Sequence, residues 1–331
     1  MKKLHLKYES KIVLEKERVN TLECEVKSAN NKLTLYKSLC TFKKSEVTSS
    51  FKSIIQIATG PLLSRKSKDN KKKLGQLLSG LPRFKTNDVD EIGNHIIGQG
   101  QFGELTVVKL KKLDTIVACK KLKPEYSSQN DVFGEVITGL TLSGAKYFPY
   151  VYGLLNDFSI LMEYFGELTP TGPDACPNLW QRIKKKPSHL ELKAMLSDVV
   201  NAVIYLHDEK ILHNDLKADN FILAKDCVKL IDFGKATLLT SPKIYSIPLG
   251  SDLAKRYNKY HRHLAYELRN IPGSKQSILT DTFSLGYMFK HMAAIVCCDE
   301  IVSLGKHMKV KEPEFRTPLK KALQVLHKLK A

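Results

Sequence analysis

The sequence predicts an α+β protein in which a small β-rich part precedes a larger helical part, with a helical extension in front. Short apolar and β-branched runs predict an antiparallel sheet, and they occupy residues 96–97, 105–108 and 116–119. Longer helical stretches, such as residues 190–206, dominate after about residue 166. These observations divide the chain into a helical segment at 1–40, a linker at 41–87 and a folded domain at 88–331.

Length and composition limit the class of protein. At 331 residues with 43% hydrophobic content, the chain can build one large two-lobed domain with a sizeable core. It has no run of about 18 apolar residues, so we expect no membrane span, and early charges leave no room for a signal-peptide core. The seven cysteines are scattered, without a CxxC pair. This pattern is typical of a reduced, intracellular protein of the cytoplasm or nucleus, without structural zinc.

The segment 1–40 carries an apolar repeat of seven residues. Its members are Ile12, Val19, Val26 and Leu33, with Tyr8, Leu22, Ala29 and Tyr36 at the complementary position. A stripe of this period buries best against a second helix, so self-association through a short coiled coil is one expectation. A single amphipathic helix explains the same pattern equally well.

The linker 41–87 lies in the most basic part of the chain. The net charge is +19, and residues 1–90 contribute +11 of it, from 20 Lys/Arg against 9 Asp/Glu. The run at 65–73 is too charged to pack. It could contact an anionic partner through phosphate groups, although a solvated basic tail is the commoner outcome for such runs.

A glycine-rich turn opens the β-rich part. Residues 98–103 read Gly-Gln-Gly-Gln-Phe-Gly, a spacing that dinucleotide-binding folds also use. In those folds a helix follows, whereas here residues 105–108 continue as a strand. The turn is therefore predicted to be a β-hairpin lid whose backbone amides approach nucleotide phosphates.

The most informative motif lies in the helical part. Residues 213–220 read His-Asn-Asp-Leu-Lys-Ala-Asp-Asn, and Asp232-Phe233-Gly234 begins twelve residues after Asn220. Residues 221–223 and 228–231 are predicted strands of a hairpin between the two motifs. Asp215 can orient a hydroxyl nucleophile, while the Asn220 amide oxygen and the Asp232 carboxylate can hold Mg²⁺ against nucleotide phosphates.

Together with Val117-Ala118-Cys119-Lys120, these motifs resemble the nucleotide-binding and catalytic loops of the eukaryotic protein kinase family. The resemblance covers about residues 90–328. It implies a two-lobed fold with an antiparallel N-lobe carrying one helix at 88–165 and a helical C-lobe at 166–331. It also implies ATP- and Mg²⁺-dependent transfer of a phosphoryl group to serine or threonine of protein substrates, because Lys217 follows that pattern. Asn214 replaces the usual arginine, which marks a divergent member.

The resemblance also implies a nucleotide site. Lys120 would clamp the phosphates, with Glu135 holding its side chain. Met162 would be the gatekeeper beside the adenine, which would meet backbone groups of Glu163 and Phe165. The other positions implied are the lid residues Gly98, Gly100, Phe102 and Gly103, and the ring-sandwiching residues Leu105, Ala118 and Ile222. On the catalytic side, Lys217 would neutralise charge on the moving group.

The C-lobe matches the family in part. Asp281 is expected to hold the catalytic loop, and Arg316 to pair with Glu267 in a buried bridge. Tyr266 replaces a proline in the Ala265-Tyr266-Glu267 segment. Only 34 residues separate Asp281 from Phe315, so we expect the helix that usually follows in the C-lobe to be shortened or missing.

Two other functions fit part of these features. A pseudokinase or scaffold would use the coiled coil and the kinase-like surface to bind partners, and the unusual run at 257–263 favours it. A small-molecule phosphotransferase would share the aspartate and asparagine of the catalytic loop. It would lack the combined glycine-rich lid and late arginine.

Overall fold

The computed structural model describes residues 81–100, 103–125 and 129–329. The predicted coiled coil at 1–40, most of the linker and Phe102 lie outside these residues. In the described part, a five-stranded antiparallel sheet of order β1-β2-β3-β5-β4 is followed by a mainly helical lobe. This is the predicted α+β arrangement of two lobes.

The strands of the sheet and the hairpins have the following bounds: β1 Val89–Gln99, β2 Gly103–Leu110, β3 Thr115–Leu122, β4 Val151–Asn156, β5 Ser159–Glu163, β6 Gly166–Thr169, β7 Gly172–Ala175, β8 Ile211–Leu212, β9 Phe221–Leu223, β10 Val228–Leu230, β11 Thr237–Leu238, β12 Ile244–Tyr245 and β13 Ser274–Lys275. The α-helices are α1 Gln129–Leu142, α2 Leu179–Ile183, α3 His189–Asp208, α4 Asp252–Tyr260, α5 Tyr266–Asn270, α6 Ile278–Ile295, α7 Asp299–Met308 and α8 Leu319–Lys328. The predicted hairpin at 221–231 is confirmed, since β9 and β10 pair in antiparallel register.

The sheet separates two apolar clusters because successive side chains of a strand point to opposite faces. Val117 and Cys119 of β3 pack with Leu161 in a small cluster on one face. Leu122 of β3 and Ile160 of β5 join the main core on the other face, where helix α1 packs. Strand β3 therefore lies at the centre of the sheet. The β1–β2 hairpin lies beside it, and helix α1 packs on one face.

Residues 81–87, which the sequence analysis placed in the linker, are part of the folded domain. Phe84 N donates to Leu154 O at 2.8 Å, and Leu154 N donates to Pro82 O at 2.9 Å. Leu81 is buried in the main core. A Cβ on Gly153 would lie 2.3 Å from Pro82 O, so only glycine admits this close approach. The charged residues Arg83 and Lys85 make this segment resemble a linker, although it pairs with the edge strand β4.

The larger lobe packs around helices α3 and α6. Leu196, Val199, Val203 and Leu206 lie on the buried face of α3, at the spacing of an amphipathic helix. Ser188 caps α3 by accepting a hydrogen bond from Glu191 N at 3.2 Å. Helix α7 is the single α-helix between α6 and Arg316. Within the described residues, none of the helices has the length and apolar character needed to cross a bilayer.

Candidate active site

The glycine-rich turn is a β-hairpin, as predicted, because β1 and β2 pair in antiparallel register. Gly100 N donates to Gly103 O at 2.9 Å and closes the turn. A Cβ on Gly103 would lie 2.3 Å from Lys121 O of β3, so a side chain has no room there. Gly98 pairs opposite Leu105, and a Cβ added to Gly98 would lie 3.6 Å from Leu105 Cβ. The hairpin therefore lies directly beside strand β3 in the sheet.

Lys120 lies at the centre of a three-residue ion-pair cluster. Its Nζ donates to Glu135 Oε1 at 2.6 Å and to Asp232 Oδ1 at 2.9 Å. Strand β3, helix α1 and the segment after β10 each supply one member. The side chain of Glu135 is 6% exposed and that of Asp232 is 38% exposed. The sequence-predicted partner of Lys120 is thus in place, and the second carboxylate faces the solvent-accessible side of the cluster.

Opposite charges decide the protonation states of this cluster. Burial alone would lower the pKa of Lys120, but the nearby carboxylates of Glu135 and Asp232 raise it above its usual range. Burial raises the pKa of Glu135, which Lys120 only partly offsets. For Asp232, the charge of Lys120 outweighs burial and lowers the pKa. Lys120 is therefore a permanent cation beside an ionised Asp232.

Asp215 lies in the catalytic loop with basic groups on both of its oxygens. Lys217 Nζ lies 3.2 Å and Lys235 Nζ 3.1 Å from Oδ2. The Nε2 atom of His263 lies 3.3 Å from Oδ1, off the direct line of a hydrogen bond, and no other described group pairs with this buried nitrogen. Burial by itself raises the pKa of Asp215, but His263, Lys235 and Lys217 outweigh it and hold that pKa well below its usual range. The carboxylate is ionised at neutral pH.

The residues expected to hold Mg²⁺ fit that ion by their donor atoms. Asn220 Nδ2 donates to Asp215 O at 2.8 Å, which fixes the amide so that its oxygen is the atom left to coordinate. Asp232 adopts φ 67°, a left-handed conformation that a tight functional turn imposes. In the described part of the chain, no group of three or more His, Cys, Asp or Glu side chains could hold a metal alone. A site of one amide and one carboxylate suits Mg²⁺, which keeps waters and substrate phosphates as ligands.

Asp281 of helix α6 holds the catalytic loop from below, as the sequence predicted. Its Oδ2 accepts from His213 N at 3.0 Å and its Oδ1 from Asn214 N at 3.0 Å. His213 Nδ1 accepts from Asp215 N at 3.3 Å, and its Nε2 donates to Ile231 O at 3.1 Å. Burial lowers the pKa of His213, and these partners assign a neutral ring. His213 is structural.

The ring of Phe233 packs between the loop and the main core. Its centroid lies 5.5 Å from that of His213 and 6.1 Å from that of Phe148. Gly139 stands on helix α1 where the family usually has an apolar side chain directed at this phenylalanine. A Cβ on Gly139 would lie 2.6 Å from Val151 Cγ2, so strand β4 occupies that space instead.

Asn214 joins the catalytic loop to the segment that follows Gly234, here called the activation segment (235–265). Its Nδ2 donates to Lys235 O at 3.0 Å and to Thr237 Oγ1 at 2.9 Å, with a longer contact to Leu212 O at 3.3 Å. Thr237 Oγ1 in turn donates to Gln276 Oε1 at 3.1 Å. Asn214 has φ 66°, a conformation in which asparagine is enriched. A neutral amide thus ties the two segments together directly.

The residues expected to meet the adenine lie where strand β5 leaves the sheet. Met162 pairs with Ala118 of β3 in the strand register. Glu163 N donates to Tyr150 O at 2.7 Å, and Phe165 O accepts from Cys176 N at 2.8 Å. The Glu163 carbonyl and the Phe165 N–H are therefore the backbone groups that remain for a purine edge. Leu105 pairs opposite Lys120, and Ile222 bridges to Asn178 at the start of α2.

The C-terminal part of the domain closes on the end of the activation segment. Arg316 forms the predicted buried bidentate pair with Glu267, at 2.7 Å and 2.6 Å. Arg316 also donates to Leu279 O at 2.9 Å and to Val310 O at 3.0 Å. These bonds fix the residues after Ala265 against helix α6.

Sequence reasoning missed two groups of the site. His263 follows Asp215 by 48 positions, and no motif relates a histidine there to the carboxylate. Gln276 accepts from Thr237 Oγ1 and from Lys243 N at 3.0 Å, and only the folded chain brings these groups together. An excess of His, Lys and Arg in residues 255–263 was the available signal.

By fold and by site, this is a two-lobed protein in which a glycine-rich hairpin and an ion-paired lysine belong to the small lobe and a loop with a buried aspartate belongs to the large lobe. The Protein kinase domain family model matches residues 93–325, and the chain belongs to the protein kinase family.

The names of similar proteins agree with this family assignment. The chain is 26% identical over 225 residues to the Probable serine/threonine-protein kinase fnkE of Dictyostelium discoideum, covering 61% of this chain and 15% of that protein. It is 30% identical over 148 residues to the Serine/threonine-protein kinase cst-1 of Caenorhabditis elegans, 44% of this chain and 28% of the relative. It is 25% identical over 175 residues to the Carbon catabolite-derepressing protein kinase of Saccharomyces cerevisiae, covering 51% and 27%. The chain thus spans less than a third of the length of each.

Proposed function

We propose that this protein is an ATP- and Mg²⁺-dependent kinase that phosphorylates serine and threonine hydroxyls of protein substrates. The observation that carries the proposal is the pairing of Lys120 Nζ with both Glu135 (2.6 Å) and Asp232 (2.9 Å). It places a fixed cation beside an ionised carboxylate, beneath a lid of backbone amides. The family match and the names of the relatives support the same activity.

On the nucleotide side, Lys120 would bind phosphate oxygens while Glu135 holds its side chain in position. Asn220 and Asp232 would hold Mg²⁺, which when bound neutralises charge on the phosphates. The direct contact between Lys120 and Asp232 would open as the phosphates come between them. Gly98, Gly100 and Gly103 would let the backbone of the lid approach the phosphates, and Phe102 belongs to the same lid.

On the substrate side, Asp215 would accept a hydrogen bond from the target hydroxyl and point its oxygen at the phosphorus. Its low pKa keeps it ionised, so it acts mainly by orientation. Lys217 Nζ, 3.2 Å from Asp215, is placed to neutralise charge on the transferred group. The hydroxyl must enter on the Oδ1 side, where His263 now lies.

The test measures binding first and transfer second. Nucleotide affinity is measured by titration with and without Mg²⁺, and transfer is then followed from γ-labelled ATP to a generic protein substrate. Asp215→Asn should lower transfer by about 100-fold or more, because it removes the charge that orients the hydroxyl. Asp226→Asn, at the exposed turn of the β9–β10 hairpin, is the matched control and should retain activity. Phosphoamino-acid analysis distinguishes serine and threonine from tyrosine.

A scaffold without transferase activity is the second candidate. The contacts of Lys217, Lys235 and His263 with both oxygens of Asp215 favour it, because they occupy the place of the hydroxyl. Nucleotide binding without transfer to any protein would support this candidate and contradict the kinase. Self-association through residues 1–40 and an anionic partner for the linker 41–87 also remain proposals.

A further inference from the structure

The activation segment and the ten residues that follow it carry a large excess of positive charge. Residues 235–275 contain eight Lys/Arg and two Asp/Glu. Both acids already have partners in the fold, since Asp252 pairs with Lys255 at 2.9 Å and Glu267 with the buried Arg316. In the described chain, no carboxylate oxygen lies within 4.0 Å of a side-chain nitrogen of four other basic residues in this stretch: Lys243, Arg256, Lys259 and Arg262.

A series of side-chain contacts runs from the catalytic carboxylate to helix α4, which carries Arg256 and Lys259. Asp215 lies 3.3 Å from His263, whose ring centroid lies 6.1 Å from that of His261. His261 in turn stacks at 4.7 Å on Tyr257 of helix α4. Arg256 neighbours Tyr257 on the helix. Burial lowers the pKa of His261, and the charges of His263, Lys235 and Arg256 lower it further, so these cations share one neighbourhood.

Helix α4 is fixed in this position by the fold. Asn258 Nδ2 donates to Asn270 Oδ1 at 3.0 Å, and Asn258 Oδ1 accepts from the guanidinium of the buried Arg269. Ser251 caps the helix by accepting from Ala254 N at 3.1 Å. The exposed side chains of Arg256 and Lys259 therefore stand on a rigid element beside the catalytic loop.

We propose that this basic face selects protein substrates with acidic residues next to the target hydroxyl. The inference rests on the proposed kinase function and names its substrate class. A peptide whose hydroxyl reaches Asp215 has to place its neighbouring residues over the activation segment. Carboxylate or phosphoryl side chains there would pair with Arg256, Lys259 and Lys235, whereas lysine or arginine would be repelled.

The preference should be one-sided. Asp219, in the catalytic loop next to Asn220, is an exposed carboxylate on which no ion pair is recorded among the described residues. It would oppose acidic residues that lie over that side of the loop. The acidic positions should therefore fall on one side of the target hydroxyl only. A nucleic acid or an anionic membrane is a less suitable occupant, because the basic side chains lie close to Asp215, the carboxylate that would contact the substrate hydroxyl.

The test uses full-length protein and serine peptides that differ only in their flanking residues. The flanks are neutral, aspartate-rich, phosphoserine-containing or lysine-rich, each placed before or after the target serine. Each surface ion pair contributes a fraction of a kcal/mol, so two or three pairs should raise kcat/KM for the anionic peptides by about tenfold over the neutral one. That advantage should shrink as salt is added.

Two double variants distinguish a change in charge preference from a loss of folded structure. Arg256→Glu combined with Lys259→Glu should abolish the advantage of the acidic peptide and improve use of the lysine-rich peptide, which loss of structure could not do. Lys320→Glu combined with Lys321→Glu, on helix α8, reverses the same number of charges on an element that packs mainly on α3 and should keep the wild-type preference.

The outcomes are distinct. Equal or better use of neutral and lysine-rich peptides by the wild-type protein would overturn the inference while leaving the kinase proposal intact. Absence of transfer to every peptide and protein would contradict the kinase function itself. If charge reversal abolished binding to an oligonucleotide or to phosphatidylserine vesicles without changing peptide preference, the surface would serve that other partner.

Discussion

The activation segment should be ordered without a phosphate, because Asn214 ties it to the catalytic loop. An amide has two N–H hydrogens, so at most two of its three contacts are full hydrogen bonds. The two shorter ones, to Lys235 O and Thr237 Oγ1, contribute about 1 kcal/mol each. Asn214→Gly should therefore lower the stability of the segment by about 2 kcal/mol. Asn214→Ala must also hold φ near 66°, which costs about 1–2 kcal/mol more.

A loss of about 2 kcal/mol shifts the ratio of ordered to open segment by roughly 30-fold. We expect kcat/KM to fall by at least about tenfold in Asn214→Gly and further in Asn214→Ala. Denaturant unfolding measures the stability, and a generic protein substrate measures the activity. Wild-type protein treated with phosphatase should retain most of its activity, because a phosphate on Thr240, Ser241 or Tyr245 would find a neutral amide where relatives have arginine.

One result would refute this reasoning. If phosphatase lowers the activity tenfold or more, and rephosphorylation within residues 235–260 restores it, another basic residue binds a loop phosphate. Lys235 is the nearest candidate, although its ammonium is already 3.1 Å from Asp215. Equal activity of the glycine and alanine variants would contradict the conformational part of the estimate.

Three further predictions concern other parts of the chain. Lys120→Met and Asp232→Asn should each lower phosphoryl transfer by about 100-fold or more while the domain stays folded, as a cooperative unfolding transition would show; near-normal transfer would contradict the site assignment. Arg316→Ala should destabilise the domain by about 3–5 kcal/mol in denaturant unfolding, because it leaves the buried Glu267 unpaired. Glu267→Gln should cost less, since the guanidinium keeps its carbonyl partners. Residues 1–40 should make the full-length chain self-associate in light scattering, whereas a chain lacking its first 80 residues should be monomeric; if both are monomers, that role is excluded.

The sequence predicted those parts of the fold and site that depend on local spacing. Asp215 and Asn220 lie five positions apart in one loop, so their joint placement follows from the motif. The contact of Glu135 with Lys120 was also expected, because helix α1 follows strand β3 directly. The roles of these residues remain predictions. His263 could not be predicted, since its approach to Asp215 depends on how the whole activation segment packs.

The domain boundary shows a different limit of sequence reasoning. The sequence analysis extended the linker to residue 87, but Pro82 and Phe84 pair with the edge of β4 through backbone groups. Backbone hydrogen bonds leave little trace in side-chain patterns. Only the glycine at 153, which admits Pro82 O, hinted that another chain segment lies close.

The bridge between Arg316 and Glu267 bears on how the larger lobe is completed during synthesis. Glu267 meets its partner only after 49 further residues have been added, and Asp281 closes on His207 across 74 positions. Contacts of such long range lose loop-closure entropy before they gain interaction energy, which slows folding. Chains halted before residue 316 should therefore leave the activation segment open to proteases. Catalytic competence should appear late, once the arginine has left the ribosome and docked.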